Sequence, residues 1–210
     1  MNVDYRLAPE AKAPCGIDDS YAALKWVVAN AEELGIDANR IAIMGECGGG
    51  YITGGVSMRL AEAGETNLVK FQAQLIPLTS NAMFTKPDSY FEEWELGGGK
   101  YRPCFNDIFR QLAIDFDNRD PLEVAKDPYL FPNEVSDEIC KKCPPLIVVT
   151  TEFDTMKRAG LEAAAKYRKN GNLLGCAVIK GCHSPHYVNS NHPRTDAFFK
   201  IFEDACKKYL

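Results

Sequence analysis

Short continuous apolar runs alternate along this chain with longer segments in which apolar residues recur every three or four positions. The clearest run, Leu146-Ile147-Val148-Val149-Thr150-Thr151, follows Pro144 and Pro145. Its unbroken apolar character predicts a central parallel strand covered on both faces. Similar runs predict strands at 40–44, 71–78 and 176–179, and residues 2–5 read as the end of another. Helical spacing predicts helices at 20–34, 51–63, 159–169 and 194–209. The first is expected to be capped by Asp18 and Asp19, to turn Trp26 and Val27 inward, and to end at Gly35. In the second, Gly54 and Gly55 are expected to permit close packing against the sheet. The last carries Ala197, Phe198, Ile201, Phe202 and Ala205 on one face. Between 82 and 135 the pattern is irregular and rich in Pro, Gly, Asp and aromatic residues, with one helix predicted at 104–116 after Gly97-Gly98-Gly99. That segment reads as a cap or insertion over a site, or as helices flanking a sheet. The alternation as a whole predicts one α/β domain over 1–210, a mostly parallel sheet flanked by helices, with function collecting at the carboxyl ends of the strands.

Composition narrows the function classes. A formal net charge of -5 gives no reason to expect nucleic acid or an anionic membrane as partner. No apolar run approaches the length of a membrane span, and the first residues lack the basic-then-apolar plan of a signal peptide, so a soluble, cytoplasmic protein is expected. Eight cysteines are too sparse for a disulfide scaffold. Cys140-Lys-Lys-Cys143, with Cys176, Cys182 and His183, raises a structural zinc site or a redox pair. Adjacent ligands at Cys182 and His183 suit a shared tetrahedral centre poorly.

Candidate chemistry centres on Gly45-Glu46-Cys47-Gly48-Gly49-Gly50, placed between a predicted strand and a predicted helix. Strand, glycine-rich corner and helix are the context in which G-x-S-x-G forms a nucleophile elbow, and here the pattern is G-x-C-x-G. Small residues are expected two positions either side of Cys47, where strand and helix backbones approach closely. The corner would set the thiol beside free N–H groups at the helix start, which favour a thiolate and a developing oxyanion. A glycine-rich turn around a buried structural cysteine is the plainer reading; the spacing fits neither the dinucleotide fingerprint nor the Walker loop. Asp154 and His183 each follow a predicted strand, so the fold would bring Cys47, Asp154 and His183 to one rim in the order nucleophile, acid, imidazole. Glu152 and Asp137 compete with Asp154, as His186 and His192 compete with His183. Glu46 reads as a neighbouring hydrogen-bonding group or a rim charge, and Tyr90, Phe91 and Trp94 as acyl-pocket lining or packing.

These residues resemble the hormone-sensitive-lipase-like branch of the α/β hydrolases, which includes arylacetamide deacetylases and microbial carboxylesterases. Val3-Asp4-Tyr5-Arg6-Leu7-Ala8-Pro9-Glu10 looks like that family's strand-and-loop signature. Trp26, Gly35-Ile36-Asp37 and Arg40-Ile41-Ala42 resemble its approach to the elbow, and Gly45 to Gly49 its G-[DE]-S-A-G-G pattern with Cys for Ser and Gly for Ala. Pro144-Pro145 through Asp154 resembles its acid-bearing strand, and Gly181-Cys182-His183 its histidine loop. The resemblance implies an α/β-hydrolase fold and hydrolysis of a small-molecule carboxylic ester through a Cys47-His183-Asp154 triad and an acyl-thioester. It implies Gly48 as an oxyanion donor and no metal or organic cofactor. The family's His-Gly-Gly-Gly loop and first strands have no counterpart in these residues, so a truncated domain of weak activity is expected. Its exposed sheet edge would favour a second copy or a covering chain. An inactive, ligand-binding homologue is the alternative.

Overall fold

A computed structural model describes residues 1–86, 120–183 and 193–210. Four parallel strands lie in the order β1 (Ile43–Glu46), β2 (Gln72–Leu75), β3 (Leu146–Phe153) and β4 (Leu173–Cys182). Helices α1 (Cys15–Ala29), α2 (Gly48–Ala63), α3 (Ala82–Thr85), α4 (Pro121–Val124), α5 (Asp137–Cys140), α6 (Lys157–Lys169) and α7 (Pro193–Tyr209) connect and flank them. The expected open parallel α/β sheet is therefore present.

The period of two in β3 divides the core. Leu146 and Val148 face α2 and α6, packing with Met58, Ala163 and Tyr167. Ile147 and Val149 face α7, packing with Phe71, Ala73, Leu75 and Ala205. Gln72 and Gln74 of β2 are buried. Gln72 Nε2 donates to the Tyr167 hydroxyl at 2.9 Å and the Pro144 carbonyl at 3.0 Å, and Gln74 Nε2 donates to Gln72 Oε1 at 3.0 Å. A polar line thus crosses an apolar layer with its donors satisfied.

Several boundaries differ from expectation. Helix α1 begins at Cys15 behind Pro14, with no side-chain cap. Asp18 and Asp19 lie inside it and pair instead with Arg59 and Arg6. Its buried residues are Ile17, Leu24 and Val27, while Trp26 is 52% exposed. Strand β2 stops at Leu75 because Ile76 takes φ 41, outside the extended region. Gly55 is pressed against Ile17 of α1, and Gly54 against Pro132 and the Gln74 side chain, so helix and loop share the close approach with the sheet. Ala197 is exposed on α7, whose contact residues are Phe199, Ile201, Phe202, Ala205, Cys206 and Tyr209. Residues 2–5 form no strand; Asn2, Val3 and Tyr5 line a groove of about 670 Å³ along the edge of β1 away from β2, with Leu24, Ile43, Phe202 and Leu210. The predicted helix at 104–116 lies outside the described residues.

Candidate active site

Three strands end in candidate residues. Cys47 follows Glu46 of β1, Asp154 follows Phe153 of β3, and His183 follows Cys182 of β4. Parallel strands place these ends at one rim of the sheet.

Cys47 sits at a backbone corner with φ 53 and ψ -112. Bonds on both sides hold it there. Its N–H continues the ladder to the Leu75 carbonyl at 2.9 Å. Its carbonyl accepts from Gly50 at 3.0 Å and Tyr51 at 3.3 Å as α2 begins, and from Leu78 at 3.2 Å. Such a conformation costs on the order of 1–3 kcal/mol in a residue with a Cβ and persists only where neighbours over-determine it. A Cβ at Gly45 would lie 1.9 Å from the Gly49 carbonyl oxygen, and one at Gly50 would lie 2.7 Å from Cβ of Pro77. At Gly49 an added Cβ meets nothing within 4 Å. The expected requirement for small residues on both sides of Cys47 therefore holds at Gly45, whereas Gly49 contributes its backbone rather than room for a side chain.

The first N–H groups to return to the Cys47 carbonyl belong to Gly50 and Tyr51, so those of Gly48 and Gly49 come earlier, at the positive end of α2. This is where a developing oxyanion beside Cys47 would find donors.

The Asp154 side chain is fully buried. Its Oδ1 accepts from the Met156 N–H at 2.7 Å, and its Oδ2 accepts from the Thr151 hydroxyl at 3.2 Å. Oδ2 also meets Nδ1 of His183 at 2.8 Å. The bond to Met156 is the local turn expected of an Asp before a helix; the bond to His183 is a long-range contact beyond it. A β-bulge makes that contact. Thr151 pairs with Ile179, but Phe153 pairs with Cys182, so β4 gains one residue on β3 at the rim. Continued along both strands, this register sets His183 opposite Asp154; an unbroken ladder would have offered Cys182.

His183 has 39% of its side chain exposed. Burial works to lower its pKa, but hydrogen bonds and charge interactions with Asp154 and Cys47 outweigh it and push the imidazole up to about 10. With Nδ1 on Asp154, Nε2 is the nitrogen left for Cys47.

The competing residues separate. Glu152 is exposed on β3. Asp137 starts α5 and bonds Lys169 and Asn170. His186, His192, Tyr90, Phe91 and Trp94 lie outside the described residues. Glu46 ends β1 and lines the groove on its open edge. Cys140 and Cys143 are buried in the layer between α2 and α6, and burial pushes their thiols up to about 11 and about 12. Among the described residues no cluster of three metal-ligating side chains occurs, and no helix is long and apolar enough to cross a membrane. Sequence reasoning missed Thr151, whose only signal is a hydroxyl three positions before Asp154, and it missed the bulge, which leaves no mark in residue types.

A family model described as alpha/beta hydrolase fold matches residues 1–186. Ethyl acetate hydrolase of Pseudomonas putida is 39% identical over 180 residues, covering 85% of this chain and 53% of that enzyme. Arylacetamide deacetylase of Bos taurus is 36% identical over 95 residues, covering 44% of this chain and 24% of that protein. Carboxyl esterase 2 of the mycorrhizal fungus Tuber melanosporum has a similar structure, with TM-score 0.83 and 27% identity over 99% of this chain and 66% of that one. The chain spans about half the length, or less, of these curated relatives.

Proposed function

Because this chain belongs to the α/β-hydrolase-fold family and is related to its carboxylesterases, we propose that it hydrolyses small-molecule carboxylic esters. In this reading Cys47 is the nucleophile, His183 the base and acid, and Asp154 the group that orients His183. The observation that carries it is the relay at the strand ends, where His183 lies 2.8 Å from Asp154 and its pKa is raised by interaction with both Asp154 and Cys47.

His183 takes the Cys47 proton, and the thiolate attacks the ester carbonyl carbon. The carbonyl π pair moves to oxygen, and the Gly48 N–H at the start of α2 holds the charge that develops. Collapse re-forms the carbonyl, breaks the bond to the alkoxy oxygen and sends the His183 proton to the departing alcohol. Water, deprotonated by His183, then attacks the acyl-thioester; the acid leaves and the Cys47 thiolate returns. Every group used is a side chain, a backbone N–H or water.

Intact-mass measurement after brief exposure to p-nitrophenyl acetate tests this, run beside Cys47→Ala and His183→Ala. The expected result is an acetyl adduct that requires both residues and decays with time. An adduct that never decays would show attack without deacylation and overturn the hydrolytic half of the proposal. No adduct on protein shown to be folded would overturn it entirely and favour an inactive, ligand-binding homologue.

A further inference from the structure

The Asp154 carboxylate has a geometric peculiarity that the Cys47–His183–Asp154 relay does not use. Its Oδ2 carries two donors, His183 Nδ1 at 2.8 Å and the Thr151 hydroxyl at 3.2 Å, while Oδ1 carries the Met156 N–H at 2.7 Å. Thr151 is fully buried near the carboxyl end of β3, beside the bulge that aligns His183. The neighbouring hydroxyl of Thr150 is equally buried and has no hydrogen-bond partner, so a buried threonine hydroxyl in this strand is not bonded by default. Thr151 is directed at the one oxygen that His183 also needs.

We propose that Thr151 is a positioning residue for the active site, whose hydroxyl keeps Oδ2 of the buried Asp154 side chain turned toward His183. This rests on the reading of Asp154 and His183 as catalytic partners. A carboxylate whose side chain is withdrawn from water loses the hydration that normally stabilises its charge. Fixed donors replace it. Met156 supplies one from the backbone, which no substitution short of proline removes, and Thr151 supplies the other from a side chain. Without the hydroxyl, Oδ2 keeps only the imidazole, and one contact fewer stops the carboxyl group from turning away from His183. A hydroxyl serving only to fill space would have no such effect.

The test follows His183 by nitrogen NMR in protein labelled at His, with the signal assigned by its loss in His183→Ala. The Asp154 contact helps to raise the His183 pKa, so Thr151→Val is expected to lower the His183 midpoint part of the way toward that of Asp154→Asn. Any esterase kcat should fall with it by about tenfold, the worth of a hydrogen bond to a charged group, while KM stays within about twofold. Thr151→Ser, which keeps the hydroxyl, should restore both. Thr151→Ala serves the same comparison should the valine variant fold poorly. An unmoved His183 midpoint in a folded variant, with loss of thermal stability alone, would overturn the proposal, as would failure of Thr151→Ser to restore the parent value. Protein that takes no acyl group would defeat the esterase reading yet leave the His183 titration to decide the role of Thr151. If His183 titrates identically in the parent and in Asp154→Asn, the Asp154–His183 partnership falls and this inference falls with it.

Discussion

At Cys47 a side chain is held where glycine would be easier, and the two glycines that flank it in the motif are not equivalent. Gly45 has no room: a Cβ there would overlap the Gly49 carbonyl at 1.9 Å, a clash between backbone atoms that no rotamer relieves. Gly49 has open space, and its φ is not in the left-handed region. Gly45→Ala is therefore expected to cost about 3 kcal/mol or more and to abolish acylation of Cys47. Gly49→Ala should stay within about 1 kcal/mol of the parent, on the stabilising side, because alanine suits the first turn of α2 better than glycine does. Urea unfolding midpoints decide the matter; equal losses at the two positions would refute this account of the corner. The motif in the sequence treats the two glycines alike, since residue types record that a position is small but not which atom it spares. The strand-end places of Cys47, Asp154 and His183 were legible because each stands just past an apolar run. Thr151 was not, because a threonine near a strand end has many ordinary uses.

Elements were legible in kind and order but less so at their limits, and the misses have physical causes. The apolar pattern says nothing of Ile76 turning to positive φ, so β2 is shorter than its run of apolar residues. Charges were misread as caps: Asp18 and Asp19 bond arginines across space rather than the N–H groups of α1. A comparable contact ties α5 to the end of α6. Asn170 and Lys169 bond the Asp137 carboxylate and hold its pKa down at about 2. Because the folded pKa lies below the unfolded value near 3.9, the contact stabilises the fold above about pH 4 and loses that contribution as the pH falls toward 2. Asp137→Asn should accordingly be less stable than the parent at pH 7, with the two converging as the pH drops to about 2. Urea midpoints at pH 7, 4 and 2.5 give the comparison. A constant gap across that range would mean that Asp137 acts through packing rather than charge.

For the whole molecule, the sheet leaves the β1 edge unpaired among the described residues, with Arg40 and Glu46 the charged side chains in the groove beside it. Residues 2–5 run beside it without joining it, and the groove of about 670 Å³ between them and α7 is lined by apolar side chains including the half-exposed Ile36 and Met44. The parallel sheet was legible from the alternation of elements. The groove was not, since it depends on where residues 2–5 settle once they find no ladder to join. Unmet backbone groups beside apolar surface pair with whatever edge is offered, and in a concentrated solution of this protein that is β1 of a second copy. Light scattering during gel filtration is expected to show mass rising above the 23.3 kDa of one chain as concentration increases. A charge directed into the groove should oppose pairing without touching the core, because Met44 is 46% exposed. Met44→Lys should therefore remain near the mass of one chain at concentrations where the parent associates. If both stay at that mass throughout, the edge is closed by the chain's own residues. If both associate equally, the contact lies elsewhere on the molecule. Either result would remove β1 as the site of association while leaving the rim that carries Cys47, Asp154 and His183 as described.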